Sequence, residues 1–261
     1  MIESPFKLPL AQEAPLPQLS RMALFLDLDG TLAEIAPTPQ AVTPLARRTR
    51  LVRRASQLLG GRLAVISGRP IREIDHILEG AAPAAAGLHG LERRDDTGAF
   101  SAPAPHPGLA EARRELEAFV LGRKGLFLED KKLSLALHFR LAPDVARQAR
   151  TLVQMVAEQT GLLSLEGDCV AELRPPGANK GDALVAFMRQ PPFKGAVPVF
   201  VGDDITDEDG FRAARLAGGA GVLVGPPRRS HAQWRLDDVT AVLAWLEAGL
   251  GSERAPTPFN P

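Results

Sequence analysis

Asp27-Leu28-Asp29-Gly30-Thr31 places two carboxylates two residues apart, directly after the apolar run Ala23–Leu26. Side chains two apart on an extended chain project to the same side, so both acids can face one site. In such a pair one carboxylate can attack phosphorus while the other exchanges a proton with the leaving oxygen. Gly30 lets the backbone turn sharply and approach a bound anion. The same pentapeptide is also an ordinary strand followed by an Asp-Gly turn, so alone it does not decide. A second acidic stretch, Val201-Gly202-Asp203-Asp204-Ile205-Thr206-Asp207-Glu208-Asp209, carries five acids in the seven residues from Asp203. Crowded carboxylates raise one another's pKa unless a cation or a proton intervenes. Oxygen ligands with no nearby thiol favour magnesium over zinc. Acids enriched at a helix start by its dipole account for Asp207–Asp209 but poorly for Asp203, which stands at a strand end.

Two further motifs could handle phosphate. In Ile66-Ser67-Gly68-Arg69-Pro70, Ser67 can donate its hydroxyl, and free backbone N–H groups at a helix start suit an anion. A simple N-cap with proline in the first turn explains the same residues. Asn179-Lys180-Gly181 opens another helix, where Lys180 either neutralises a phosphate or decorates the surface.

The elements that must position these groups follow from apolar patterning. Four short runs, Ala23–Leu26, Leu63–Ile66, Val197–Val201 and Val222–Val224, suit strands buried on both faces of a parallel sheet. Helix-like segments such as Pro44–Leu59, Gly181–Met188 and Glu208–Leu216 lie between them, and the alternation predicts an open α/β fold. Ligands in such folds bind beyond the carboxyl ends of the strands, where three of the four runs stop in residues fit for phosphate chemistry.

The middle of the chain reads differently. Leu109, Ala112, Leu116, Phe119 and Val120 mark one face of a helix. A strand-like run, Leu126–Leu128, is followed by a second with Leu133, Leu135, Leu137 and Phe139 on one face and Ser134, Ala136, His138 and Arg140 on the other. A helix over Asp144–Gln159 precedes two more strand-like runs around Gly167-Asp168, the last with Val170, Glu172 and Arg174 on one face. This order predicts a small antiparallel sheet with helices on one side, at about residues 93–175, ended by the hinge Pro175-Pro176-Gly177. The expected organisation is an extended segment over 1–20, a core from 21–92 and 176–250, this insertion, and a flexible tail over 251–261.

Composition narrows the function classes. The 261 residues are 45% apolar, enough for a buried core and a smaller second domain. Lysine plus arginine and aspartate plus glutamate both number 31, so a basic excess that would hold nucleic acid or anionic lipid is absent. A lone cysteine, Cys169, precludes an intramolecular disulfide and any cysteine metal cluster, which fits a reducing, cytoplasmic setting. Met1–Gln18 is proline-rich and lacks the apolar stretch of a secretory signal, and no segment is long and apolar enough to span a membrane. The glycine-rich stretch Gly218–Gly225 matches neither the P-loop nor the dinucleotide fingerprint, and reads as a turn and core strand.

Nucleophile, acid/base, hydroxyl donor, cation and metal-binding acids thus occur in one order, each at an element boundary. This set resembles the haloacid dehalogenase (HAD) superfamily, whose four motifs match Asp27–Thr31, Ser67, Lys180 and Asp203–Asp207. Within it the chain is similar to the trehalose-6-phosphate phosphatases from about Leu24 to Trp245. The similarity is carried by Gly87-Leu88-His89-Gly90, Leu128-Glu129-Asp130-Lys131, Leu135-Ala136-Leu137-His138-Phe139-Arg140, Glu172-Leu173-Arg174-Pro175, Asn179-Lys180-Gly181 and Gly202-Asp203-Asp204-Ile205-Thr206-Asp207-Glu208.

The resemblance implies a Rossmann-like parallel-sheet core with an α+β cap inserted between the serine and lysine motifs. It implies hydrolysis of trehalose 6-phosphate through a phospho-aspartate on Asp27, with Asp29 protonating the departing sugar oxygen and then activating water. Mg²⁺ would be held by the Asp27 carboxylate, the Asp29 backbone carbonyl and Asp203, with Asp204 and Asp207 in support. Ser67 and Lys180 would stabilise the transferring phosphoryl group, with Thr31, Gly68 and Arg69 as further substrate contacts. In similar enzymes the cap reads the sugar through residues matching Glu129, Lys131 and Glu172; His89, His138, Arg140 and Arg174 are additional candidates. Phe139 stands where relatives often carry tyrosine. The partner expected is a small sugar phosphate, bound by a monomer. Two other readings share these motifs: a superfamily phosphatase acting on sucrose phosphate or a mannosyl phosphate, and a catalytically silent sugar-phosphate-binding module.

Overall fold

The structure, a computed structural model, describes residues 12–14, 21–167 and 169–252. Most of the expected N-terminal segment, Asp168 and the tail beyond residue 252 lie outside the described residues. In chain order the strands are β1 (Gln12–Glu13), β2 (Met22–Leu26), β3 (Leu63–Ile66), β4 (Ala84–Gly87), β5 (Glu92–Arg94), β6 (Phe100–Ser101), β7 (Phe127–Asp130), β8 (Leu135–His138), β9 (Leu163–Gly167), β10 (Val170–Arg174), β11 (Val197–Gly202), β12 (Ala220–Val224) and β13 (Trp234–Leu236). The helices are α1 (Ala46–Leu58), α2 (Ile71–Leu78), α3 (Leu109–Val120), α4 (Ala146–Thr160), α5 (Lys180–Met188), α6 (Glu208–Leu216) and α7 (Val239–Ser252).

The described residues form two units, one of those up to 101 together with those from 178 on, the other of those between 102 and 177. In the first, all four apolar runs are strands of one sheet, ordered β1-β13-β12-β11-β2-β3-β4-β5-β6. Pairing is parallel from β1 to β4 and antiparallel at β5 and β6. Burial on both faces explains why the central runs are continuously apolar. Leu24 and Leu26 of β2 face a cluster with Val52 and Ala55 of α1, Ile74 and Ile77 of α2, and Val242 and Leu246 of α7. Ala23 and Phe25, on the opposite face, pack with Leu184 and Phe187 of α5 and Phe211 of α6. This sandwich turns the carboxyl ends of β3, β2 and β11 to one edge, side by side. The β5–β6 hairpin pairs onto β4, so the main sheet continues to Ser101, further along the chain than the expected boundary near residue 93.

The second unit is a four-stranded antiparallel sheet, ordered β7-β8-β10-β9. Its alternation works as period-two patterning predicts: Leu135, Leu137, Ala171 and Leu173 pack with Leu116 of α3 and Val153 and Val156 of α4. Polar residues therefore fall on the other face. Phe139 belongs to the helix-packed core, with the Arg150 guanidinium 4.8 Å from its ring centre. Among the described residues, no helix is long and apolar enough to cross a membrane.

Candidate active site

Asp27 leaves the end of β2 and its backbone N–H still bonds the Val201 carbonyl of β11 at 2.9 Å. Its carboxylate is almost fully buried and receives the Lys180 ammonium at 3.0 Å. Lys180 is the first residue of α5, a helix closed by a capping box in which Asn179 and Asp182 satisfy each other's backbone N–H groups. It is no surface lysine: it is buried, and its Nζ also contacts Asp207 Oδ1 at 2.7 Å. The other oxygen of Asp207 accepts the backbone N–H groups of Asp203 and Asp204, both at 3.0 Å. Asp207 is thus a buried brace between the lysine and the acidic turn, which a merely solvated helix start would not be.

Carboxylate oxygens of Asp27, Asp203 and Asp207 lie within 4.8 Å of one another. Three acids face one ammonium, so the cluster has a surplus of negative charge. Burial, with Asp207 next in effect, pushes the Asp203 carboxyl up to about 7. Burial also drives Asp27 well above the usual carboxylate range, aided by Asp207, Asp203 and Asp29 and opposed by Lys180. Asp207 is raised for the same first reason, against Lys180. Burial alone would lower Lys180; Asp207 and Asp27 override it and hold the ammonium above the usual lysine range. Buried, oxygen-only and short of positive charge, this donor set fits a hard divalent cation.

Gly30 follows Asp29 at φ +77°, and a Cβ there would lie 2.1 Å from Asp203 Oδ2. Glycine is required both for the turn and for the approach of Asp203. The buried Thr31 donates its hydroxyl to Asp203 Oδ1 over 3.4 Å.

Ser67 directly follows β3, which lies next to β2, and is buried. It is not the N-cap of α2, which starts at Ile71 after Pro70 and has its first N–H satisfied by Glu92 of β5 at 2.8 Å. Ser67 Oγ accepts the Arg69 N–H at 3.2 Å, which leaves its own proton to donate to a ligand. His89 lies against the same turn: its N–H bonds the Ser67 carbonyl at 3.0 Å, and a Cβ on Gly68 would lie 2.7 Å from its Nε2.

Asp29 does not share the lysine pocket. Both its oxygens are taken by Arg69, at 2.6 and 2.8 Å, and Arg69 also bonds the Pro39 carbonyl and Glu73. Arg69, expected to contact substrate, is engaged with this acid. Asp204 likewise spends Oδ1 on the Ile205 N–H and is absent from the three-acid cluster. Sequence reasoning missed Glu92, and it missed Arg228, which reaches the Asp203 and Asp204 carbonyls from the β12–β13 connection. Neither has a local signal, because each acts across at least twenty residues.

In the second unit, Glu129 of β7 and Glu172 of β10 flank Ala136 of β8 in one cross-strand row. Glu172 is buried and accepts Lys131 Nζ at 2.9 Å. Glu129 meets His138 Nε2 at 2.9 Å; burial would raise its pKa, but His138 and Lys131 hold it below the usual value. Glu129, Lys131, His138 and Glu172 are therefore two bonded pairs linked by charge, while Arg174 ends β10 and Arg140 lies in the turn beyond β8, both half-buried.

The family model for trehalose-phosphatase matches residues 25–240. Trehalose-6-phosphate phosphatase of Escherichia coli strain K12 is 40% identical over 237 residues, covering 88% of each chain. A probable trehalose-phosphate phosphatase of Sinorhizobium fredii is 39% identical over 211 residues, 80% of each chain. The C-terminal domain of C. albicans trehalose-6-phosphate phosphatase superposes with a TM-score of 0.81 at 21% identity, covering 92% of this chain and 98% of that one. A phosphatase of the haloalkanoate (HAD) enzyme superfamily from Bacteroides thetaiotaomicron shares the fold, with a TM-score of 0.57 at 17% identity, covering 91% of this chain and 98% of that one. A buried acid–lysine centre at the strand ends, a polar antiparallel insert and these likenesses together establish that the chain belongs to the trehalose-phosphatase family.

Proposed function

We propose that the protein hydrolyses trehalose 6-phosphate to trehalose and phosphate through a phospho-aspartate intermediate. The observation that carries this is the Asp27 carboxylate, buried at a strand end against Lys180 and beside Asp203 and Asp207. Asp27 attacks phosphorus, while Lys180 and the Ser67 hydroxyl hold the phosphoryl oxygens. As the bond from phosphorus to the sugar oxygen breaks, Asp29, released from Arg69 and protonated from solvent, gives that proton to the departing oxygen; it then takes one from the water that attacks the phospho-aspartate, which frees phosphate and the Asp27 carboxylate. Asp27 and Asp203 would hold Mg²⁺, with the Asp29 carbonyl as a further ligand and Asp207 in support. The ion would offset the charge of nucleophile and phosphoryl oxygens, which otherwise repel. Sugar recognition is assigned to Glu129, Lys131, His138 and Glu172, because a site built to bond hydroxyls loses on the order of 10⁴-fold against ligands lacking them.

The test is phosphate release from a panel of sugar phosphates, with magnesium and with excess chelator. Preference for trehalose 6-phosphate, lost on chelation, is the expected result. Magnesium-dependent preference for sucrose phosphate or a mannosyl phosphate would overturn the substrate and keep the chemistry. No release from any would overturn both.

A further inference from the structure

The acidic turn that ends β11 is held on both sides of its backbone. Its N–H groups, those of Asp203 and Asp204, converge on Asp207 Oδ2. Its carbonyls converge on a side chain distant in sequence: Arg228 Nη2 donates to the Asp203 carbonyl at 3.2 Å and the Asp204 carbonyl at 3.0 Å. Arg228 Nη1 pairs with Glu208, the first residue of α6, and reaches the Arg229 carbonyl at 3.4 Å. The second Glu208 oxygen accepts the His231 N–H at 2.7 Å, tying α6 to the same connection. Among the described residues, the Asp203 carboxylate is held by one side chain, Thr31, over a long contact, and by its own backbone. Placement of that carboxylate against Asp27 and Asp207 therefore depends on how firmly the turn beneath it is fixed.

We infer that Arg228 is a positioning residue for the cation site, clamping the Asp203–Asp204 carbonyls so that the Asp203 carboxylate is preorganised for a divalent ion. Arginine is suited to this position because its planar fork serves two carbonyls and a carboxylate together, which the single ammonium of lysine cannot. Its charge also lies beside the acidic turn without occupying the ligand oxygens. Partners of this kind, one bond removed from a ligand, typically set metal affinity by about 10–100-fold. The inference rests on the metal reading of the acid cluster proposed above.

The experiment measures Mg²⁺ affinity of the full chain by calorimetry and by the Mg²⁺-dependent rise in unfolding temperature, for wild type, Arg228→Ala and Arg228→Lys. Arg228→Ala is expected to weaken Mg²⁺ binding about 10–100-fold, and Arg228→Lys to restore part of it. At saturating Mg²⁺ the turnover of Arg228→Lys should return to within a few-fold of wild type. A metal-free unfolding temperature that falls in either variant while Mg²⁺ affinity stays at the wild-type value would overturn the proposal, leaving a purely structural role. Should Arg228→Ala fail to fold, Arg228→Lys decides on the same readouts. Wild-type protein that binds no Mg²⁺ would overturn the metal reading itself, and the proposal with it.

Discussion

Asp203 shows most directly how burial becomes a property that can be measured. Unfolded, an aspartate releases its proton near 3.8, whereas the folded, metal-free chain holds this one up to about 7. Between those values the folded state binds more protons than the unfolded state, so this contribution to stability is lost as pH rises through the window. Asp27 and Asp207, raised mainly by burial, act in the same direction. The unfolding midpoint of chelator-treated protein should therefore fall between about pH 5 and about pH 8. Magnesium should restore more of it at the higher pH, because proton and cation compete for the same oxygens. Thermal unfolding with chelator and with magnesium at both pH values checks this, and a chelated midpoint that climbs with pH would contradict it. The candidate residues were legible one by one; their pairing was not. That Asp29 and Arg69 bond each other follows from strand neighbours forty residues apart, not from the spacing of either motif.

At the scale of elements, the proposed chemistry draws on short turns at the carboxyl ends of β2, β3 and β11. The turn after β2 has no room for a side chain at Gly30, where Asp203 from the β11 turn comes in. Gly30→Ala combines a left-handed backbone with a direct clash, so it should destabilise the fold by about 1–3 kcal/mol and remove most activity. Denaturant unfolding and turnover measured side by side test this; an alanine variant with wild-type activity would show that the two turns need not approach so closely. The strands themselves were readable where burial on both faces makes an apolar run, as in β2, β3, β11 and β12. β4 was missed because Ala84, Ala85 and Ala86 carry no strand preference of their own and become a strand only by pairing between β3 and β5. Similarly, β5 and β6 are a polar edge hairpin whose pairing partner, rather than composition, makes it part of the main sheet.

At the scale of the molecule, the groups assigned to phosphoryl transfer all belong to the first unit, although they come from both sides of the inserted one. The second unit holds a separate charged group around Lys131 and Glu172. This division predicts that chemistry and substrate choice separate under mutation. Removing one member of a buried ion pair strands the other at a cost of about 3–5 kcal/mol, whereas replacing both by apolar residues of similar volume is close to neutral. The double variant Lys131→Met with Glu172→Leu should fold, lose about 10²-fold or more in kcat/KM for trehalose 6-phosphate, and stay within a few-fold on a small aryl phosphate. Steady-state kinetics on the two substrates checks it; equal losses on both would remove the specificity role.

The amino-acid sequence by itself determined which residues can do chemistry, the parallel core, and the antiparallel character of the insert. These are carried by local patterning: an apolar run ending in an acid, or a period-two alternation, is written within a few residues. Tertiary structure alone decided that Lys180 joins Asp27 to Asp207, that Asp29 is held by Arg69, and that Arg228 grips the acidic turn. Each of these is a contact between side chains or turns far apart in the chain, made by residue types that are common on any surface. Only folding gives them their partners, because a charge is indifferent to its sequence neighbours once burial has removed the water that would otherwise serve it.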